Sequence, residues 1–322
     1  MEEKVLELNG VIIKPGEQAD IKMLVGRLPS GGKIHIRGKV YRSKVDGPVV
    51  LITGGIHGDE INSVQIVRRF MDSGVLDNLL RGTVICIPVV NVYGFIYFSR
   101  DLPDGKDVNR SFPGSSSGSL ASRIANSITK KIFPHVDIGL DFHTGGASRY
   151  NFPQIRYTKT DEKSKELARV FGAPQILSRG TIPKSLRRVA LKEGKPFLVF
   201  EGGESLRLDG HSIAMAARGI RRVLHHLDMI ENAPLPEEPS VHITATSWIR
   251  ASQAGLFTWL KCSGSFVKKK EEIGIIQDPH GDMNIKVLAT RDGYIVGHNN
   301  AAVVSQGDAL FHLGYEYELW EV

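Results

Sequence analysis

Cysteine is scarce: two residues in a chain of 322 cannot staple a disulfide scaffold. Cys86 lies inside the apolar run "TVICIPVV" and reads as a core thiol, while Cys262 has no assignment. Long apolar runs are missing too; none approaches the roughly 20 residues that a membrane helix needs. The opening "MEEKVLELNG" has no basic n-region and no apolar h-region, so no secretory signal is expected and a cytoplasmic location fits. Stretches that interleave aromatic with basic residues are absent. The net charge is +6, but the basic residues are scattered, and "FVKKKEE" and "ITKKIF" read as solvated turns or helix faces. Neither a nucleic-acid partner nor a membrane partner is expected. The positive field instead suits a small anionic substrate. With 41% apolar and 24% charged residues, the chain is neither disordered nor fibrous. A homo-oligomer is left open as a further partner, since the sequence does not fix the oligomeric state.

The pattern divides the chain. Residues 1–45 alternate apolar and polar residues between glycines, as in "KIHIRGKVYRS", which predicts short antiparallel strands. From 48 to about 230, strand candidates at 48–53, 83–90, 136–142, 174–178 and 196–200 alternate with helical stretches. The helices are expected at 59–71, 119–132, 161–172, 183–193 and 209–228. Such alternation implies an α/β layered fold. "ENAPLPEEPS" packs three prolines and three acids into ten residues and reads as a linker that few contacts should cross. The expected division is therefore a catalytic α/β domain over 1–235 and a separate small all-β domain over 241–322.

"ITGGIHGDEINSVQIV" sets His57 and Glu60 where an apolar strand ends and a helix begins. Open α/β sheets display ligands at that edge. Both side chains could aim at one point above the sheet. A plainer reading stands beside this one: Asp59 caps the helix, Glu60 complements its dipole, and His57 is an ordinary loop residue.

Three more stretches share this position. "NVYGFIYFSRDLPDGKDVNRSFPG" follows the second strand and is polar and turn-rich. "VDIGLDFHTGG" ends an apolar run on His143, and "KPFLVFEGGES" ends one on Glu201. Two histidines and a carboxylate make a three-ligand zinc site with an open position, the catalytic arrangement. A further carboxylate can activate the water held there, and arginines can grip an anionic group. Glu204 rivals Glu201, but Glu201 directly follows the strand and is better fixed. His135, His211, His225, His226, His280, His298 and His312 have less suggestive contexts and are left outside the site.

With His57-x-x-Glu60, a distant His143, "DVNR" at 107–110 and Glu201 after an apolar strand, the chain resembles the zinc carboxypeptidase superfamily. Within it, "GGIHGDE", "DGKDVNRSFPG" and the trailing β-domain resemble the succinylglutamate desuccinylase/aspartoacylase family. H-E-x-x-H, the mark of thermolysin-type enzymes, is absent. The resemblance implies a carboxypeptidase-like mixed sheet flanked by helices and one Zn2+ per chain, held by His57, Glu60 and His143. It implies that Glu201 is the general base, and then the acid, and that Asn109 and Arg110 bind a substrate carboxylate. Asp107 would fix the tautomer of His57, and Arg100 would polarise the scissile carbonyl.

"VLATRDGYIVGHNNAAVVSQGDALFHLG" resembles the second half of a biotinyl/lipoyl carrier domain. The carrier lysine would stand eleven residues before Gly293, where the sequence has Asp282; Lys286 is out of register. The resemblance thus implies the fold without cofactor attachment. It also implies a domain that narrows access to the zinc. The resulting expectation is a zinc-dependent deacylase of a small N-acyl amino acid. The rivals are a carboxypeptidase-type peptidase, an ester hydrolase, and a non-enzymatic zinc- or ligand-binding protein.

Overall fold

The structure is a computed structural model describing residues 5–321. The first four residues of the 1–45 segment, and Val322 of the tail, lie outside them. Strands β1 (Leu6–Leu8) and β2 (Val11–Ile13) form a small hairpin, followed by β3 (Gln18–Arg27) and β4 (Lys33–Arg42). The expected antiparallel pairing is present, but β3 and β4 are ten residues each rather than short. Next come β5 (Val49–Thr53), α1 (Ile61–Met71), β6 (Thr83–Ile87), α2 (Val92–Tyr97) and α3 (Leu120–Lys131). They are followed by β7 (Ile138–Gly145), β8 (Arg149–Thr158), α4 (Glu162–Phe171), β9 (Gln175–Arg179), α5 (Leu186–Lys192), β10 (Phe197–Glu204) and α6 (Gly210–His226). All five strands and five helices expected between 48 and 228 are there, with α2 and β8 in addition.

Alternation within the strands explains the layers. Val50 and Ile52 of β5, with Val84 and Cys86 of β6, face a cluster built on Ile66 and Phe70 of α1, Phe171 of α4 and Ile220 of α6. Leu51, Ile85 and Ile87 face the opposite cluster, with Ile124 and Ile128 of α3 and Val189 of α5. Successive side chains point to opposite faces, so a strand buried on both sides reads as a continuous apolar run. Each large apolar side chain fully buried this way contributes roughly 1.5–3 kcal/mol.

Helix starts are marked in the sequence. Ser119, Asp161, Ser185 and Asp209 each accept a hydrogen bond from a backbone N–H in the first turn of α3, α4, α5 and α6. Such caps contribute about 0.5–2 kcal/mol each. α1 is different: Glu60 occupies its cap position and makes no capping bond. Asp59 does not cap the helix, contrary to the plainer reading of this stretch.

The tail comprises β11 (Ser240–Arg250), β12 (Gly255–Trp259), β13 (Phe266–Val267), β14 (Glu272–Gln277), β15 (Asn284–Leu288), β16 (Gly293–Asn299), β17 (Val303–Val304) and β18 (Ala309–Trp320). Among the described residues the main sheet is mixed and has 12 strands, in the order β13-β16-β18-β11-β9-β8-β10-β7-β5-β6-β4-β3. A four-stranded sheet, β15-β14-β12-β17, packs with the tail's share of the main sheet around Phe257, Ile276, Ile295 and Phe311.

The linker ends the helical pattern but not the sheet. β11 pairs in parallel with β9, and β16 pairs antiparallel with β8. Leu177, Ile243 and Val296 form a buried cluster across this seam, and the Tyr157 hydroxyl meets His242 Nε2 at 2.9 Å. The expectation that few contacts cross the boundary is therefore corrected. Local proline and charge signals report a loop, whereas strand addition is a long-range event they do not encode. A chain ended at residue 239 should lose stability and aggregate through the bare β9 edge. Urea denaturation and light scattering check this; a soluble truncated chain with the parent's unfolding midpoint would contradict it.

Candidate active site

The site stands at the ends of β5, β7 and β10. These strands lie side by side in parallel, with Thr53 opposite Asp141 and Glu201 opposite His143. Gly139 makes that register possible: a Cβ there would lie 2.2 Å from the ring of Phe197, the first residue of β10. His57 follows β5 in the glycine-rich turn, and Glu60 opens α1.

His57, Glu60 and His143 converge, all buried, with one ligand atom from each lying within 4.8 Å of the others. His57 Nδ1 is 2.7 Å from Glu60 Oε1, and His143 Nδ1 is 2.8 Å from Oε2. The two Nδ1 atoms are 3.2 Å apart. The far nitrogens face carboxylates. His143 Nε2 donates to Asp141 Oδ2 at 2.8 Å, and Asp141 Oδ1 accepts from the Thr53 hydroxyl at 2.7 Å. His57 Nε2 lies 3.3 Å from Asp107 Oδ1, an ion-pair distance without the angle of a full hydrogen bond.

This donor set fits a metal ion. A carboxylate stands behind each ring, and a ring whose Nε2 carries the proton presents its Nδ1 lone pair inward. Two such lone pairs and an anionic oxygen then share one point, which suits a cation. The electrostatics agree. Burial opposes charge on His143, yet Asp141 and Glu60 raise its pKa well above the ordinary value. Burial alone would raise Glu60, yet the two histidines hold it far below the usual carboxylate range.

The other expected residues gather here. Arg100 reaches Asp107 Oδ2 at 3.0 Å and Glu60 Oε1 at 3.4 Å. The Asp107 side chain accepts from Asn109 N at 2.6 Å, starting the single turn that carries Asn109 and Arg110. Asn109 Oδ1 accepts from Leu186 N, which fixes the amide plane. Arg110 is half-exposed and donates to the Asn109 carbonyl at 2.8 Å. A cavity of about 240 Å³ is lined by His57, Glu60, Arg100, Asn109, Arg110, His143 and Glu201. Glu204 is not among its lining and instead accepts from Asn300 Nδ2 at 2.7 Å. A larger cavity of about 380 Å³, beside Arg37, Val92 and Phe95, holds none of the convergent residues.

Residues 46–227 match the model of the succinylglutamate desuccinylase/aspartoacylase catalytic domain. The chain belongs to the succinylglutamate desuccinylase/aspartoacylase family. It is 29% identical over 279 residues to an N-alpha-acetyl-L-2,4-diaminobutyric acid deacetylase of Halomonas elongata, covering 82% of this chain and 81% of the relative. Its fold is similar to a succinylglutamate desuccinylase/aspartoacylase from Rhodobacter sphaeroides, with a TM-score of 0.84, 26% identity and 94% and 96% of the two chains covered. It is also similar to the product-bound ectoine utilization protein EutE (DoeB) from Ruegeria pomeroyi, with a TM-score of 0.84, 22% identity and 98% and 99% coverage.

This family member builds part of its cavity from residues that sequence reasoning passed over. Asp141 stands two positions before His143 in "DFH", on the same strand face, and that spacing was a readable signal. Asn151 and Arg156 sit on β8, the strand the apolar pattern did not reveal. Arg187 lies in α5; burial, with Arg156 adding, lowers its pKa to about 10. Trp248 and His312 come from the tail, and Trp248 stacks on His312 at 4.5 Å. Burial, followed by Arg156 and Arg179, pushes the pKa of His312 well below its ordinary value.

The carboxylate behind His143 generates a prediction. Asp141→Asn should weaken metal binding roughly 10–100-fold while the fold persists. Chelator competition measures this; unchanged affinity would show that the Asp141–His143 bond does not tune the ligand.

Proposed function

We propose that the protein is a zinc-dependent deacylase that cleaves the amide bond of a small N-acyl amino acid or related compound. The observation that carries this reading is the His57–Glu60–His143 cluster, set in one cavity with Glu201 and cationic side chains. Two imidazoles and a carboxylate suit zinc and leave a coordination position for chemistry. Membership of the family and the deacetylase relative support the same reaction class. The tail's likeness to a carrier domain belongs to this reading as well, with exposed Asp282 in the β14–β15 turn where a carrier would hold its lysine.

Zinc, when bound, supplies a Lewis acid that lowers the pKa of water and polarises a carbonyl. Glu201 takes the proton of the attacking water and passes it to the departing amine. Arg100, beside Glu60, stabilises negative charge developing on the carbonyl oxygen. Arg110 turns from the Asn109 carbonyl to a substrate carboxylate, and the Asn109 amide nitrogen donates to the same anion. The walls from β7, β10 and the tail keep the reacting groups within a small, arginine-rich space.

A panel of N-acetyl, N-succinyl and N-formyl amino acids, with short peptides as controls, tests this with zinc-loaded protein. Glu201→Gln should keep zinc and lose roughly 10²–10⁴-fold in kcat, because glutamine is nearly isosteric but takes no proton. Glu204→Gln should retain turnover; the reverse pattern would assign the base to Glu204. Arg110→Lys should lower kcat/KM roughly 10-fold for a carboxylated substrate and far less for its neutral amide analogue, since lysine lacks the planar fork. Equal hydrolysis of both analogues by variant and parent would make Arg110 structural.

A further inference from the structure

Glu201 is gripped at both oxygens. Oε1 pairs with Arg156 Nη1 at 2.8 Å, and Oε2 accepts from Asn151 Nδ2 at 2.8 Å. The terminal torsion of a glutamate is broad, so one partner fixes one oxygen while two fix the carboxylate plane. Both partners stand on β8, which lies beside β10 in the sheet.

Asn151 is itself held from the tail. Gly297 of β16 stands opposite it, and a Cβ at Gly297 would lie 2.7 Å from Asn151 Oδ1 and 3.0 Å from the Tyr150 carbonyl. Gly297 is not among the glycines with positive φ, so the backbone does not demand glycine there; the space does. Further bonds accompany the pairing of β16 with β8. Asn300 N donates to the Ser148 carbonyl at 2.7 Å, just before β8, and Ser263 Oγ, which meets His298 Nδ1 at 2.6 Å, faces the Tyr150 carbonyl at 3.5 Å; Asn300 Nδ2 donates to Glu204 of β10.

We propose that the C-terminal β-unit positions Glu201, through the close approach of Gly297 to Asn151 and the Asn151–Glu201 hydrogen bond. Asn151 and Gly297 are positioning residues, and the inference rests on Glu201 being the base. A tail that only narrows the cavity would govern which substrates enter. A tail that orients the base governs turnover of every substrate that binds. Misplacement by about 1 Å can cost 10²-fold in rate. An alanine Cβ at 297 is most cheaply accommodated by swinging the Asn151 amide away, which withdraws Nδ2 from Glu201.

The test uses the zinc-loaded full chain and the N-acyl amino acid of the panel that the parent turns over fastest. Asn151→Ala and Gly297→Ala should each lower kcat roughly 10–100-fold, with KM, zinc content and cooperative unfolding retained. The double variant should be no slower than Asn151→Ala alone, because alanine at 151 has no amide to displace. Parent-like kcat in Asn151→Ala, a raised KM at unchanged kcat, or additive losses in the double variant would each overturn the proposal. If Gly297→Ala does not fold, the kcat and KM of Asn151→Ala decide. Glu201→Gln, assayed alongside, separates the two levels. Turnover retained there defeats the base reading and this inference with it. A dead Glu201→Gln beside a parent-like Asn151→Ala defeats the positioning alone.

Discussion

Two imidazole lone pairs and one carboxylate are brought to a single buried point, and much of the local structure serves that convergence. His57 and His143 turn Nδ1 inward, with Asp107 and Asp141 behind Nε2. Glu60 faces both rings, so the cap position of α1 serves the cluster and forgoes the side-chain cap that α3, α4, α5 and α6 all have. Burying Glu60, Asp141 and two histidines beside a partly buried Asp107 is costly unless each charge is matched. Here the matching is dense: Arg100 spans Glu60 and Asp107, and Thr53 satisfies Asp141.

The sheet turns this local requirement into a fixed distance. β5, β7 and β10 run parallel, so their ends lie at one edge, and the register sets Glu201 beside His143. Helices on both faces bury the strands and leave that edge to the loops. β8 runs antiparallel to β10 and brings Asn151 and Arg156 back to Glu201. The tail then adds strands to the same sheet, and Trp248 and His312 reach the cavity from them. Catalytic unit and tail are thus parts of one hydrogen-bonded surface.

Much of this was legible in the sequence because the signals were local. Each of His57, His143 and Glu201 follows a buried apolar run and has glycine within the next two residues, and Glu60 sits where a 3.6-residue period begins. Their chemistry pointed to a metal site, and family resemblance supplied the roles. β8 escaped because "RYNFPQIRYT" contains a proline and charged residues in place of a clean apolar run. Arg156 and Asn151 escaped with it. The continuity of the sheet across the linker was illegible for a different reason. The pairing of Ile243 with Leu177 joins residues far apart in sequence, and no local pattern announces it. His312 looked unremarkable because its neighbours in space, Arg179 and Trp248, are distant in sequence.

Anomalous diffraction at the zinc edge, on crystals of the zinc-loaded protein, tests the central convergence most directly. The account predicts one strong peak per chain, ligated by Nδ1 of His57, Nδ1 of His143 and a Glu60 oxygen at about 2.0–2.2 Å. Asp141 and Asp107 should remain behind the rings. A peak elsewhere, or ligation through Nε2 with the two aspartates displaced, would contradict it.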